Sequence, residues 1–306
     1  MKAFDLMNSL GLEGRVQVGI PMRELTTMRV GGAADCVVHA ENEQDIAKVV
    51  RACRENGLPL TLVGRGSNLV VRDGGLRGVA LHLGAEFSRV TVEGDCVTAQ
   101  AGATLGALAR TAQQHGLAGL EFAEGIPGSV GGGVYMNAGA YGGEMSQALE
   151  CARVLTPSGD IVEMDAAALD MRYRHTSLME TGGVVLSARF RLKPDDPEQI
   201  AARMAEYSHR RREKQPLQYA SSGSFFKRPE GYFAGKLIQD AGLKGVSVGG
   251  AQISELHAGF LINRGVATAS DVLALMEKVQ HEVQAQFGVH LEPEVRIIGE
   301  DKHDGE

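Results

Sequence analysis

Two glycine-rich stretches constrain the fold of this chain more than any other feature. The first, residues 62–75, is an apolar run that breaks into the turn GRGSN at 64–68 and then resumes, which predicts a strand, a tight loop and a second strand. Glycines let a backbone adopt positive φ or approach a ligand closely, and Ser and Asn add short hydrogen-bonding groups beside free backbone N–H groups. Such a loop suits a pyrophosphate, although a glycine turn between strands is also typical of an ordinary hairpin.

A second stretch favours the ligand-binding interpretation. Residues 125–133, GIPGSVGGG, lead into NAGAYGG at 137–143, which is more glycine than one turn requires. Glycine makes up 40 of the 306 residues and clusters in loops, without the three-residue period of collagen. We therefore expect something flat or charged to lie against these backbones.

Composition excludes several classes of function. The net charge of −7 and the pI of about 5.8 give no global attraction for nucleic acid or an anionic membrane, so an acidic ligand would need a local basic patch. No apolar run is long enough to span a bilayer, and residues 1–14 lack a signal-peptide pattern. The cysteines form no C-x-x-C pair and are predicted to be buried thiols in a reducing compartment, the cytoplasm. They are Cys36, Cys53, Cys96 and Cys151.

The pattern of apolar residues predicts alternating strands and helices. Helices are predicted at about 43–56, 104–115, 197–214, 233–241 and 270–287, the last with Ser270 as its N-cap. Strands are predicted at 36–40, 60–64, 79–83, 90–92, 97–99, 154–156, 161–164, 184–192, 252–253, 259–263 and 291–298. Residues 1–21 form a weakly patterned lead, 193–197 a linker and 221–229 a loop.

Three charged or hydroxyl-rich clusters have both a structural and a functional interpretation. The arginines of 172–174 are either solvated charges or ligands for an anion. The serines of 221–229 form either a turn or, beside two cations, an anion site. Residues 291–298 begin with acidic side chains, which are either part of a functional site or the salt-bridged edge of a strand. Motifs for a P-loop, a zinc protease or a serine hydrolase are missing, and no metal site is expected.

Taken together, six motifs in this order resemble the UDP-N-acetylenolpyruvoylglucosamine reductase family of bacterial peptidoglycan synthesis, over nearly the whole chain. They are T-x-RVGG at 27–32, GxGSN at 64–68, GIPGSVGG at 125–132 with MNAG at 136–139, YR at 173–174, GSFFK at 223–227 and EVR at 294–296. The short interval between Arg174 and Ser224 resembles the shorter subtype. Thr176 departs from the serine common at that position in relatives.

The resemblance implies an α+β chain with a two-lobed FAD-binding module of the vanillyl-alcohol-oxidase (PCMH) type, followed by a smaller α/β substrate-binding domain. The expected boundaries are a lead at 1–21, the module at 22–194 with lobes at about 22–68 and 69–194, and the substrate domain at 200–306. Noncovalent FAD is expected, because Asn68 stands where many oxidases of this fold carry a flavin-linked histidine.

The resemblance also implies the site. The catalytic residues would be Arg174, Ser224 and Glu294. The FAD contacts would be Gly64, Arg65, Gly66, Ser67, Asn68, Ile126, Pro127, Gly128, Ser129, Gly132 and Asn137. The substrate contacts would be Tyr173, Lys214, Lys227 and Arg228.

The implied reaction is the NADPH-dependent reduction of UDP-N-acetylglucosamine enolpyruvate to UDP-N-acetylmuramate. The alternatives are a flavin-dependent alcohol oxidase of the same fold and a non-catalytic flavin-binding module. The only expected partner is the small-molecule substrate, with no nucleic acid, no membrane insertion and no obligate protein partner.

Overall fold

The computed structural model describes residues 3–302, and the chain divides into two compact units. The first unit comprises the chain up to Val18, Cys36–Arg65 and Gly78–Arg210, and the second comprises Gly19–Asp35, Gly66–Arg77 and the chain from Arg211 onward. Residues 19–35 and 66–77 group with the C-terminal part of the chain because their strands and loops pack there.

Eight α-helices lie within the described residues. They are α1 (Ala3–Ser9), α2 (Glu43–Glu55), α3 (Leu105–Gln114), α4 (Val130–Tyr135), α5 (Leu178–Thr181), α6 (Pro197–Lys214), α7 (Ala234–Asp240) and α8 (Ala269–Phe287). Helix α2 begins where the Asn42 side chain accepts a hydrogen bond from the backbone N–H of Asp45. None of the helices in the described part of the chain is long and apolar enough to cross a membrane.

The first unit contains two larger sheets around one hydrophobic core. The strands of the first sheet run in the order β1 (Val16–Gln17), β3 (Ala33–His39), β6 (Leu76–His82) and β4 (Leu60–Val63). Strand β2 (Ile20–Pro21), which belongs to the second unit, pairs with Ala33 and Ala34 of that same unit at the start of β3. The second, antiparallel sheet has the order β13 (Ile161–Met164), β12 (Leu149–Leu155), β14 (Val184–Arg191), β8 (Cys96–Gln100) and β7 (Val90–Glu93). Two short pairs join β9 (Leu117–Ala118) to β15 (Lys193–Pro194) and β10 (Gly139–Ala140) to β11 (Gly143–Glu144).

The second unit has its own core beneath a four-stranded antiparallel sheet. Its order is β16 (Ala220–Ser224), β19 (Phe260–Asn263), β18 (Ala251–Ile253) and β17 (Ser247–Val248). A separate parallel pair joins β5 (Leu69–Val71) to β20 (Arg296–Ile298). Apolar side chains of α7, α8 and this sheet fill the core, among them Phe225, Ile238, Leu261 and Val279.

The structure corrects three local predictions. Residues 220–224 form strand β16 rather than a loop, because pairing with β19 compensates for the low strand propensity of Ser and Gly. Thr268, not Ser270, is the N-cap of α8, and its hydroxyl accepts the N–H of Asp271. The N-terminal lead begins with α1 and contributes buried Leu6 and Met7 to the core of the first unit.

Candidate active site

In the first unit, both glycine-rich stretches meet at a cavity of about 250 Å³. Arg65, Ile126, Pro127 and Gly128 line it, so the structure brings together residues that lie about sixty positions apart in the sequence. Next to the cavity, the Ser129 hydroxyl occupies the space that a Cβ on Gly64 would need. A side chain at Gly64 would therefore have to displace the Ser129 hydroxyl. A cavity with an arginine and exposed loop backbone suits part of an anionic cofactor.

The three successive glycines of α4 face different surroundings. A Cβ at Gly131 would lie 2.8 Å from the Cβ of Ala101, and one at Gly133 would lie 3.0 Å from Leu105 Cδ2, so both are needed for packing. Gly132 is exposed, and its nearest neighbour would be Ser129 Oγ at 3.5 Å, an ordinary contact. The φ angle of Gly132 is not positive either. Neither packing nor conformation explains this glycine, which fits a surface kept bare for a ligand.

The segment that carries Arg174 is held by backbone carbonyls of the second glycine-rich stretch. The Arg174 guanidinium donates to the carbonyl of Gly139 at 3.2 Å and to that of Asn137 at 3.5 Å. The arginine itself has φ of 53°, a left-handed conformation that is uncommon outside glycine and often marks a functional position. Tyr173, next to it, is 51% exposed, with its ring 5.0 Å from the guanidinium carbon.

Two buried polar side chains fix the backbone around Arg174. The Asn137 amide donates to the carbonyl of Arg172 at 3.0 Å and accepts the N–H of Ser146 at 3.0 Å. The Thr176 hydroxyl donates to the carbonyl of Tyr135 at 2.7 Å and is fully buried. Both therefore tie the Arg174 segment to the end of α4. Asn137 has this structural role in addition to its predicted contact with FAD.

In the second unit, Ser224 and Glu294 occupy adjoining segments. Ser224 ends β16 with an exposed side chain. The carbonyl of the next residue, Phe225, accepts the N–H of Glu294 at 2.8 Å, and its own N–H donates to Gly259 at 2.9 Å. On the same strand, the buried Ser222 hydroxyl donates to the carbonyl of Leu69 at 3.2 Å, which helps to fix the strand. The sequence motifs at 223–227 and 294–296 are thus neighbours in space.

Asn68 is placed beside Glu294 as well. Its side-chain amide donates to the Glu294 carbonyl at 3.0 Å, and its carbonyl accepts the N–H of Arg296 at 2.9 Å. Gly66 has φ of 60° and packs against the backbone at Leu25 so closely that a side chain would not fit. The structure therefore gives Asn68 and Gly66 structural partners in the second unit. Ser67 is half-buried.

The predicted basic residues differ in their surroundings. The Lys227 ammonium, three residues after Ser224 in the chain, pairs with the Glu292 carboxylate at 2.5 Å. The exposed Arg228 stacks over the Phe233 ring, 4.0 Å from its centroid. Lys214 is exposed at the end of α6. Cationic groups of this kind offer hydrogen bonds to a diphosphate.

Sequence reasoning missed several residues of the cavity in the first unit. Thr104, Gly106, Arg110 and Glu124 also line it, and Arg110 pairs with Glu124 at 3.1 Å. The only available signals were that Glu124 directly precedes the glycine stretch and that Arg110 lies on the polar face of a predicted helix. Neither signal specifies that the two side chains meet.

The glycine-lined cavity and the two sheets of the first unit fit one class of protein, the FAD-dependent oxidoreductases of the two-lobed fold. Comparisons with known proteins identify the family. A family model described as FAD binding domain matches residues 34–165, and one described as UDP-N-acetylenolpyruvoylglucosamine reductase, C-terminal domain, matches residues 215–298.

Relatives of the same description cover almost all of the chain. The UDP-N-acetylenolpyruvoylglucosamine reductase of Agathobacter rectalis is 50% identical over 92% of this chain and 93% of its own length. That of Pediococcus pentosaceus is 50% identical over 92% and 94%. The crystal structure of the Thermus caldophilus enzyme has a TM-score of 0.81 and 37% identity, covering 92% of this chain and 98% of its own. The chain belongs to the UDP-N-acetylenolpyruvoylglucosamine reductase family.

This membership confirms the resemblance predicted from the six motifs, together with the fold class, the oxidoreductase activity and the FAD cofactor. The residues present fit FAD: Gly106, Gly125 and Gly128 line the cavity without side chains, and Arg65 supplies a positive charge there. The roles of the individual site residues remain predictions, and their positions in the structure allow each role to be tested by mutation.

Proposed function

We propose that the chain reduces UDP-N-acetylglucosamine enolpyruvate to UDP-N-acetylmuramate in peptidoglycan synthesis, with NADPH as the hydride donor. The observation that carries this assignment is the adjacency of Ser224 and Glu294 through the hydrogen bond at Phe225. An exposed hydroxyl on a segment next to one that carries a carboxyl group can serve the protonation of a carbanion, and a module that only bound flavin would have no use for it.

FAD, held by Arg65 and the loop at 126–128, would supply to C3 of the enolpyruvyl ether the hydride that NADPH provides. Negative charge then develops at C2 of the substrate and spreads into its carboxylate. Arg174 binds that carboxylate with a forked pair of hydrogen bonds, a geometry that guanidinium groups favour. Glu294 stabilises the developing enolic oxygen by donating or sharing a proton.

Ser224 then donates its hydroxyl proton to C2. A serine is a weak acid, but a carbon base of high pKa does not need a strong one. The Lys227 ammonium, which pairs with Glu292, is the proposed group that stabilises the alkoxide that remains. Lys214, Lys227 and Arg228, together with Tyr173, are the proposed contacts of the UDP moiety.

We assign the two ligands to the two expected domains. The module at 22–194 binds FAD, and the domain at 200–306 holds the substrate. The proposed compartment is the cytoplasm, because all four cysteines are free thiols, as a reducing compartment would maintain them. The proposed partner is the small-molecule substrate alone.

Flavin absorbance under argon tests the assignment. NADPH should bleach the bound flavin, and UDP-N-acetylglucosamine enolpyruvate should then restore its absorbance without oxygen. A flavin that NADPH cannot reduce would indicate a binding module, and a reduced flavin that only an added oxidant restores would indicate a different substrate. Acid precipitation should release all of the flavin into the supernatant, as expected for noncovalent FAD.

A further inference from the structure

Two histidines of the first unit, His39 and His82, form a pair that the proposed chemistry does not use. Their Nδ1 atoms lie 3.0 Å apart, and the rings meet edge to face with centroids 5.0 Å apart. Two ring nitrogens at this distance share one hydrogen, so one imidazole donates and the other accepts. The other nitrogen of His39 contacts the Gln17 side-chain amide at 3.2 Å. Both rings therefore have a fixed orientation.

The remaining nitrogen of His82 reaches the cofactor loop, where it hydrogen bonds to the backbone of Gly64. Burial lowers the pKa of His82, and the neighbouring His39 and Arg65 lower it further, whereas Glu86 and the Gly64 carbonyl oppose this. His82 is therefore neutral at pH 7 and carries a single N–H. The nitrogen of His82 that faces Gly64 carries that hydrogen, and the Gly64 carbonyl accepts it.

Gly64 is thus held from two directions. The His82 imidazole binds its carbonyl, and Ser129 Oγ occupies the space beside its Cα. The His82 ring has little freedom to move, because Gly84 packs against it: a Cβ at Gly84 would lie 2.6 Å from His82 Cε1. The residue after Gly64 is Arg65, which lines the cavity.

We propose that His82, oriented by His39, is a positioning residue of the cofactor site, which holds the Gly64 carbonyl and thereby sets the backbone of the loop that receives FAD. The proposal requires FAD binding, which family membership establishes, and is independent of the roles proposed for Ser224 and Glu294. Its consequence is a change in FAD affinity, which can be measured without turnover.

The test is dilution of purified holoenzyme with free flavin followed by its fluorescence. His82→Phe keeps an aromatic ring but removes the donor, and we expect FAD binding about 2- to 13-fold weaker, the effect of losing one hydrogen bond. His82→Gln places an amide N–H near the position of the imidazole Nε2. It should restore the affinity to within about twofold of the wild type. Gly84→Ala should weaken FAD binding in the same direction as His82→Phe, because the ring must move.

The matched control is His281→Phe, which changes a histidine with an 80% exposed side chain and should leave FAD affinity unchanged. Wild-type affinity in His82→Phe and Gly84→Ala would overturn the proposal. So would a His82→Gln protein as weak as His82→Phe, since ring packing would then explain the loss. If His82→Phe does not fold, the FAD affinities of His82→Gln and Gly84→Ala, compared with that of the wild type, still test the proposal. A wild-type protein without flavin would contradict the proposed function itself.

Discussion

The two units build their candidate functional sites in different ways. In the first unit, backbone atoms form most of the candidate site: glycines at 106, 125 and 128 line the cavity, and the carbonyls of residues 137 and 139 hold Arg174. In the second unit, side chains project from regular structure, with Ser224 at the end of β16. A site made from backbone tolerates few changes in shape, whereas a site made from side chains depends on particular chemical groups.

This contrast predicts different consequences of mutation. Changes in the first unit should alter whether FAD binds. Changes in the second unit should leave FAD bound and alter the half-reaction that consumes the substrate. The following experiments test that separation, beginning with the largest expected effect.

Ser224→Ala should spare reduction of the flavin by NADPH and slow its reoxidation by the enolpyruvyl substrate about 10²- to 10⁴-fold, the usual contribution of a general acid. Ser224→Cys should recover part of the rate, because a thiol also donates a proton. Stopped-flow absorbance under argon separates the two half-reactions. Ser221→Ala, on the same strand, is the control. If both half-reactions of Ser224→Ala run at wild-type rates, Ser224 is only a turn residue.

Gly132→Val should weaken FAD binding about 5- to 150-fold, because a side chain on the exposed face of α4 would intrude on the ligand at a cost of about 1–3 kcal/mol. Flavin content after gel filtration and a dilution series measure the loss. Gly128→Val, at the cavity wall, should likewise give a folded, colourless protein.

Gly133→Ala provides the contrast within the same helix. Its new methyl group would meet Leu105 rather than the ligand, so the expected result is a lower melting temperature with FAD retained. Stoichiometric FAD in Gly132→Val would mean that this glycine only shapes the helix.

The backbone-built region was the more predictable of the two. Runs of glycine are visible in the sequence, and both stretches were expected at a ligand before any fold was known. Helix α6 was predicted with its observed bounds, 197–214, because a proline at the first position and polar residues throughout define it. Strand β16 was predicted as a loop, since Ser-Ser-Gly-Ser has no strand signal and only its pairing with β19 makes it regular.

Contacts between distant parts of the sequence were beyond prediction from the residues alone. His82 lies 43 positions from His39, and nothing in either neighbourhood indicates that their rings meet. The same holds for Asn68 and Glu294, 226 positions apart. Such pairs depend on how the strands come together, which local patterns do not encode.

Asn68→Ala tests whether this residue acts in the cofactor site or on the catalytic segment. Because its amide holds the Glu294 carbonyl, we expect reoxidation by the substrate to slow about 2- to 13-fold, with FAD affinity nearly unchanged. Asn68→Asp, which cannot donate to that carbonyl, should behave like the alanine variant. A loss of FAD affinity with normal reoxidation would instead favour the predicted FAD contact.

Thr176→Val should have the smallest effect on chemistry and a measurable effect on stability. The substitution keeps the shape of the buried side chain but leaves the Tyr135 carbonyl without its donor, which typically costs about 1–3 kcal/mol. Thr176→Ser retains the hydroxyl and should be close to the wild type, losing only the packing of one methyl group. Urea unfolding of the holoenzyme measures both. Since Thr176 ties the Arg174 segment to α4 without facing the substrate, both half-reactions should stay within about threefold of wild-type rates. A much larger fall in the reoxidation rate with unchanged stability would place this hydroxyl in the active site. The first unit would then also depend on a particular side chain, contrary to the contrast between a backbone-built first unit and a side-chain-built second unit.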